Sequence, residues 1–261
     1  MHPPHPILDA TRRSVVAHRG NRAHAPENTL ESFAQAVALG ADALEFDVHV
    51  TADGIPVVHH DATLDRTTSG TGALAARTLA ELQALDAGAR WTGDAGRSYP
   101  YRERGIRVPT LAELLATFPD VPLLIEIKTP AASAAVRATL ERHGAEARTV
   151  VDAFDAAALV PFRDSAIAVG SSRGDVARLL ATTTLGLRPR AVPYRAVCVP
   201  LGYYGLPLPV VRFAAALRPL GVPVHVWTVN DIAVARQLWR SGIAGIITDD
   251  PGAMLRARTS L

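Results

Sequence analysis

The sequence has few of the residues on which several protein classes depend. Its 261 residues include one cysteine, Cys198, so neither an intramolecular disulfide nor a cysteine-rich metal site can form. Lys and Arg together number 27 and Asp and Glu 25, which gives a formal net charge of +2. The arginines are scattered singly along the chain, and this pattern excludes the basic patch that is typical of a nucleic-acid-binding protein.

The chain also lacks a long apolar run. The longest uncharged stretch, 196–211, contains three prolines and two glycines, which would break a membrane-spanning helix. The first residues are rich in proline and histidine and have no apolar region of the kind found in signal peptides. We therefore expect a cytoplasmic protein without stable membrane association, and we expect His2 and His5 to lie in a disordered tail.

Lys128 is the only lysine of the chain. A codon bias toward arginine is one explanation of this imbalance. The other explanation is functional: a compact ammonium is needed at this position, and a guanidinium cannot replace it. The composition alone does not decide between them.

Short β-rich runs alternate with helical patterns along the chain. Strands are predicted near positions 15, 45, 124, 150, 168, 197, 224 and 246. Helices are predicted over 28–39, 131–142, 155–162, 173–182, 208–218, 230–240 and 251–257, the first with Asn28 as its N-cap. Eight βα units in a chain of this length predict a single α/β domain over 1–261, a (β/α)8 TIM barrel. A doubly wound open sheet is the alternative, but the nucleotide-binding fingerprint expected after its first strand is absent.

The segment 61–108 does not follow the βα rhythm. It contains a run of Thr, Ser and Gly residues, then a capping-box sequence that begins at Thr78, then several aromatic and glycine residues. Removing it leaves a regular spacing of the βα units. We therefore predict that 61–108 is an insertion after the second strand that lies over the barrel mouth.

Unusual polar residues stand at the carboxyl ends of the predicted strands, where the active sites of such barrels form. His18 and Arg19 end the first strand. In the second strand, Glu45 and Asp47 are two residues apart, so both side chains point to the same side. Two carboxylates on one side of an apolar strand repel each other unless a cation or a proton relieves them. This pair therefore favours a cation site.

Two further segments continue the pattern. Glu126 and Lys128 share one side of the strand near position 124. After the extended piece over 55–59, alternation sends His59 and His60 to opposite sides. At most one of the two histidines then faces the site, and the strand period does not show which.

Together these residues place three carboxylates, at least one histidine and two cationic side chains at one end of the barrel. An oxygen-rich cluster without cysteine suits Mg²⁺ or Ca²⁺ rather than Zn²⁺. A hard divalent cation beside a guanidinium and an ammonium indicates an anionic substrate, most simply a phosphate. Histidines in such a site indicate general acid–base chemistry. The residue types predict metal-assisted hydrolysis of a phosphate ester.

The sequence resembles the glycerophosphodiester phosphodiesterase family, and the resemblance covers nearly the whole chain in the family's order. The matching motifs are His18-Arg19-Gly20, Pro26-Glu27-Asn28-Thr29, Glu45-Phe46-Asp47-Val48, Thr51-Ala52-Asp53-Gly54, Val57-Val58-His59-His60-Asp61, Leu64-Asp65-Arg66-Thr67-Thr68, Glu126-Ile127-Lys128, Val226-Trp227-Thr228-Val229-Asn230 and Ile247-Thr248-Asp249.

The resemblance implies the barrel fold and a role for each matching position. It implies that three acidic residues bind one divalent metal, Mg²⁺ or Ca²⁺, and that two histidines form the acid–base pair. It further implies that two cationic residues contact the phosphate and that one tryptophan lines the substrate pocket. The metal ligands are Glu45, Asp47 and Glu126, the acid–base pair is His18 and His60, and the substrate-binding residues are Arg19, Lys128 and Trp227.

The expected reaction is hydrolysis of a small glycerophosphodiester to glycerol 3-phosphate and an alcohol. A related lysophospholipase D-type enzyme that acts on lipids is one alternative, for which Tyr203, Tyr204 and Leu206 are the candidate membrane-facing residues. A lyase that forms a Schiff base at Lys128 is a second alternative. A barrel that binds phosphodiesters without catalysis is the third.

Overall fold

A computed structural model describes residues 5–259 of the chain. Its strands are β1 (Ser14–His18), β2 (Ala43–Val50), β3 (Pro56–Val58), β4 (Leu123–Ile127), β5 (Thr149–Asp152), β6 (Ala168–Val169), β7 (Val197–Pro200), β8 (Gly202–Tyr203), β9 (Leu206–Pro207), β10 (Val224–Trp227) and β11 (Gly245–Thr248). Eight of them run parallel in one curled sheet, in the order β6-β5-β4-β2-β1-β11-β10-β7. A parallel bridge between Gly170 and Ala196 joins the segments that flank the two outer strands. The result is an α/β barrel of the TIM type, as the spacing of the strands predicted.

Most helices follow the strands around the outside of the sheet, and one short helix, over 79–83, lies in the segment 61–108. The helices are α1 (Leu30–Ala38), α2 (Leu79–Gln83), α3 (Leu111–Thr117), α4 (Ser133–Arg142), α5 (Ala156–Leu159), α6 (Arg173–Thr184), α7 (Val210–Leu217), α8 (Ile232–Arg240) and α9 (Pro251–Thr259). Several begin at a side-chain cap, including complete capping boxes at Thr78, Thr110 and Ser172. No helix within residues 5–259 is long and apolar enough to cross a bilayer.

The predicted N-cap of the first helix was wrong by one residue. Thr29 is the N-cap of α1, and its hydroxyl accepts a hydrogen bond from the Ser32 backbone N–H. Asn28 instead has a positive φ of 58°, and its side chain donates to the Asp47 carboxylate at 2.9 Å. The Asn28 amide thus serves the site and not the helix end.

Alternation along β2 sorts its side chains between two environments. Phe46 and its apolar neighbours two residues away are buried against helix residues such as Phe33 and Leu111 in the layer between sheet and helices. Glu45 and Asp47 point the other way, into the barrel, and are also buried. A strand of a closed barrel is covered on both faces, which explains how carboxylates and aromatic rings alternate on a strand with little exposure.

The amino-terminal segment lies at the barrel's amino end and is not the tail that the sequence suggested. Ile7 is fully buried among inward-facing side chains such as Val16 and Val150. The His5 ring lies 2.8 Å from the Arg148 carbonyl oxygen, and burial lowers the pKa of His5. His2 lies outside the described residues.

The segment 61–108 has a small apolar core of its own. Leu64, Leu74 and Leu82 are buried in it. The segment also touches the loop between β1 and α1: the Trp91 indole N–H donates to the Arg22 carbonyl oxygen at 3.2 Å, and the Tyr101 hydroxyl to that of His24 at 2.9 Å. It is therefore ordered against the end of the barrel where β1 finishes.

Candidate active site

Three carboxylates meet at the carboxyl ends of β2 and β4. Asp47 lies opposite Glu126 in the parallel register of the two strands, and Glu45 precedes Asp47 by two residues on the same side. Each of the three offers one carboxylate oxygen, and these oxygens lie within 4.8 Å of one another. The sequence period predicted this grouping, and the structure brings it together.

Two cationic side chains face the carboxylates. The Lys128 Nζ lies 2.8 Å from Asp47 Oδ1 and 2.7 Å from Glu126 Oε1. Arg19 has a positive φ of 54°, which turns its backbone N–H onto Glu45 Oε2 at 3.0 Å and brings its Nε to 3.1 Å from Asp47 Oδ2. Both basic residues predicted for the site are therefore in it.

The charges of these groups depend on one another. Burial, followed by the neighbouring Asp47 charge, raises the pKa of Glu45 well above its ordinary value. Burial alone would also raise the pKa of Asp47, but the charges of Lys128 and Arg19 lower it. Burial raises the pKa of Glu126 in spite of Lys128. A group of carboxylates that resists full ionisation fits a further positive charge, and three oxygen donors suit a hard divalent cation.

His18, at the end of β1, forms one of two histidine–carboxylate pairs. Its Nδ1–H donates to Asp249 Oδ1 at 2.6 Å. The other oxygen of Asp249 accepts from the Asn230 side-chain amide at 2.9 Å, so the carboxylate is fixed on both sides. This arrangement leaves Nε2 as the nitrogen of His18 available to a bound molecule.

His60 forms the second pair. Its Nδ1–H donates to Asp61 Oδ1 at 2.5 Å, and burial lowers the pKa of the ring. The neighbouring His59 is buried elsewhere, with its ring 3.1 Å from the Thr63 carbonyl oxygen. Of these two neighbours, His60 and not His59 lines the cavity that His18 also lines.

Both histidines open into one cavity of about 170 Å³. It is lined by His18, Arg19, Glu45, His60, Leu124, Glu126, Lys128, Asp152, Phe154, Cys198, Trp227 and Ile247. A larger cavity of about 310 Å³ adjoins it and shares five of these residues, among them Phe154 and Trp227. The rings of Trp227 and Phe154 pack edge to face with their centroids 6.2 Å apart, and they form part of the wall that the two cavities share.

Several residues of the site were not singled out from strand ends. Asp249 and Asp61 orient the histidines, and Glu27 and Asn28 lie in the loop after β1. All four residues fall in the family motifs given above, which could have identified them. Strand periodicity could not, because the residues lie in loops. Asp152 ends β5 and had no such signal; burial, with Glu126 nearby, raises its pKa to about 8.

Comparison with known proteins places this barrel among the phosphoric diester hydrolases. Residues 18–253 match the glycerophosphoryl diester phosphodiesterase family, and the chain belongs to that family. A glycerophosphodiester phosphodiesterase of Caldanaerobacter subterraneus subsp. tengcongensis is 31% identical over 248 residues, which cover 92% of this chain and 96% of that protein. One from Bacillus subtilis is 31% identical over 260 residues, which cover 94% and 86%. The protein is therefore an enzyme with glycerophosphodiester phosphodiesterase relatives along its length.

Solved structures agree with this assignment. The glycerophosphoryl diester phosphodiesterase domain of an uncharacterized Mycobacterium tuberculosis protein superposes with a TM-score of 0.84 at 26% identity, covering 95% of this chain and 99% of that one. A phosphodiesterase of Oleispira antarctica, solved in complex with the product sn-glycerol-3-phosphate, gives a TM-score of 0.76 at 28% identity, covering 95% and 97%.

Proposed function

We propose that this enzyme hydrolyses small glycerophosphodiesters to glycerol 3-phosphate and an alcohol. One observation carries the proposal: two histidines, each held by a carboxylate at Nδ1, line the same cavity as Arg19, Lys128 and acidic residues of the carboxylate cluster. The Oleispira antarctica neighbour binds sn-glycerol-3-phosphate as its product, and this supports the same product here.

Glu45, Asp47 and Glu126 would hold one divalent metal ion, Mg²⁺ or Ca²⁺, through their carboxylate oxygens. Bound there, such an ion supplies positive charge that polarises the phosphoryl group. Arg19 and Lys128 lie against the same carboxylates and would bind the phosphate oxygens. Their donors oppose the negative charge that develops on those oxygens in the transition state.

His18 and His60 would carry the protons. One takes the proton from the attacking hydroxyl, which belongs to water or to the substrate's own glycerol. The new P–O bond forms as the bond to the alcohol breaks, and the other histidine donates its proton to the leaving oxygen. Asp249 and Asp61 keep each ring in the tautomer that presents Nε2 to the substrate. If the glycerol hydroxyl attacks, water must then open the cyclic phosphate.

The domain organisation belongs to the same proposal. We take 1–261 as one phosphodiesterase barrel, with 61–108 as an insertion over its mouth. The contacts of Trp91 and Tyr101 with the loop after β1 support this placement. His60 directly precedes the insertion and Asp61 is its first residue, so the insertion would be joined directly to the acid–base pair.

The test is release of glycerol 3-phosphate from a panel of substrates. The panel contains glycerophosphocholine, glycerophosphoethanolamine, glycerophosphoglycerol and one lysophospholipid, each with Mg²⁺, Ca²⁺ or EDTA. Release from the water-soluble diesters that stops with EDTA is the expected result. Absence of turnover with every metal, on folded protein, would favour a barrel that binds phosphodiesters without catalysis.

A second candidate, a lysophospholipase D-type activity, is favoured by the larger cavity. Its walls include Leu180, Val199 and Leu208, and this apolar lining could accept an acyl chain. The hairpin of β8 and β9 beside it exposes Tyr204 and Leu206, at 89% and 71%. Choline release from the lysophospholipid alone, lowered by a Tyr204→Ser/Leu206→Ser variant, would establish this activity instead.

The Schiff-base alternative fits the site less well. It requires a neutral amine at Lys128. Burial alone would lower the pKa of Lys128, but the charges of Asp47 and Glu126 raise it above its ordinary value. Two short ion pairs also occupy its ammonium. Lys128 is therefore suited to binding an anion and not to nucleophilic attack.

A further inference from the structure

The Glu27 carboxylate contacts the guanidinium groups of three arginines. It accepts from Arg19 Nη1 at 2.8 Å, lies 3.0 Å from Arg22 Nε, and accepts from Arg66 Nη1 and Nη2, both at 2.8 Å. Its side chain is only 8% exposed. A buried carboxylate with three guanidinium partners is a fixed point, because charge-assisted hydrogen bonds to the planar Arg fork are strong and directional.

One chain of contacts connects Glu27 to His18. The Arg22 guanidinium, held at Nε by Glu27, reaches Asp249 Oδ1 through Nη1 at 3.4 Å. The same Asp249 oxygen accepts the Nδ1–H of His18. The position of Glu27 therefore bears on the carboxylate that orients the His18 ring.

A second chain of contacts connects Glu27 to His60. Arg66 binds Glu27 through both terminal nitrogens and turns its Nε to Asp61 Oδ2 at 2.6 Å, while Nη2 lies 3.1 Å from Asp61 Oδ1. Asp61 Oδ1 in turn accepts from His60 Nδ1. A single guanidinium thus bridges Glu27 and the carboxylate that orients the His60 ring.

We propose that Glu27 is a positioning residue that sets the orientation of both histidines at once, through Arg22 and Asp249 on one side and Arg66 and Asp61 on the other. The proposal rests on the acid–base roles of His18 and His60 given above. Without the Glu27 charge, Arg22 and Arg66 lose a buried partner and shift toward the aspartates, and the imidazole rings follow. Arg19 loses the same partner but keeps its contact with Asp47. A misplacement of about 1 Å in such a group costs about 100-fold in rate.

The alternative is that the ion cluster only anchors 61–108 to the barrel. The two explanations differ in how the loss depends on the leaving group. A general acid matters for a poor leaving group such as choline and hardly matters for p-nitrophenol, which departs without a proton. An anchoring defect lowers turnover of both esters of glycerol 3-phosphate by the same factor.

The experiment compares Glu27→Gln, Arg22→Met and Arg66→Met on the choline and p-nitrophenyl esters. The matched control is Glu141→Gln, which removes an ion pair with Arg137 on the surface. Each site variant is expected to lower kcat on the choline ester by about 10-fold to 100-fold with a smaller change in KM. On the p-nitrophenyl ester, the kcat of one arginine variant returns to the wild-type value and that of the other stays low. The kcat of Glu27→Gln returns only part of the way. The control stays at the wild-type rate on both.

A spectroscopic readout tests the positioning independently of turnover. An imidazole N–H donated to a carboxylate gives a low-field proton resonance, which His18→Ala and His60→Ala assign. Glu27→Gln should shift both resonances, Arg22→Met only that of His18, and Arg66→Met only that of His60. Unmoved resonances, or equal losses on both esters that track thermal stability, would overturn the inference. A wild-type protein without turnover would overturn the proposed function, and the resonances would still decide the role of Glu27.

Discussion

A buried imidazole at the amino end of the barrel should make the enzyme sensitive to acid. His225, on β10, is fully buried, and its Nε2–H donates to the Ile7 carbonyl oxygen at 2.8 Å. Its Nδ1 has no hydrogen-bond partner within residues 5–259. Burial lowers the pKa of His225 to about 4, because a charged ring there would lose its hydration and gain no acceptor at Nδ1.

The sign and size of the effect follow from proton binding. In the unfolded chain the ring titrates near its ordinary value of 6.5, so on acidification the unfolded state takes up the proton first. The stabilisation is complete above that pH and is lost as the pH falls toward 4. At about 1.36 kcal/mol per pKa unit, the free energy of unfolding drops by about 3 kcal/mol through this one group.

The assay is urea unfolding followed by far-UV circular dichroism at several pH values from 7.5 to 4. The reference is His225→Gln, whose amide can still donate to the Ile7 carbonyl oxygen but cannot take up a proton in this range. Other groups titrate in both proteins and cancel in the difference. The unfolding free energy of the wild type should fall by about 3 kcal/mol more than that of the variant. Parallel pH curves for the two proteins would refute the argument.

Three further outcomes are expected. His18→Ala and His60→Ala should each lower kcat by at least about 100-fold on the best substrate, whereas the exposed His143→Ala should not; near-normal turnover in either site variant would remove the role assigned to it. Glu45→Gln should weaken Mg²⁺ or Ca²⁺ binding by at least about 10-fold in calorimetric titration, and an unchanged affinity would place the metal elsewhere. Gly245→Ala should lower the free energy of unfolding by about 1–3 kcal/mol, since its Cβ would stand 2.2 Å from Nδ1 of the buried imidazole described above; a stability equal to the wild type would contradict this.

The barrel could be predicted because its strands are short apolar runs separated by helical patterns of regular length. All eight parallel strands lie at the predicted positions. The error at Asn28 has a tertiary cause. The local sequence suits either Asn28 or Thr29 as the helix cap, and the hydrogen bond to Asp47 draws Asn28 into the site. The cytoplasmic location stays a prediction.

Apart from the family resemblance, the site was predictable only at the ends of strands. The period of two placed Glu45, Asp47 and Glu126 on one side of neighbouring strands, and the structure agrees. Contacts between loops of different βα units have no period. His18 and Asp249 are 231 positions apart, and Glu27 meets Arg66 across 39. Such pairs become visible only when the folded barrel brings the loops together.

The pairing of β1 with β11 has a consequence for synthesis of the protein. The first strand of the barrel hydrogen-bonds to the last, in register from Ser14 opposite Gly245 to Ala17 opposite Thr248. While the chain grows on the ribosome, one edge of β1 has no partner until β11 has emerged. An unpaired apolar edge invites association with other chains. The nascent barrel is therefore open to association with other chains until β11 leaves the exit tunnel.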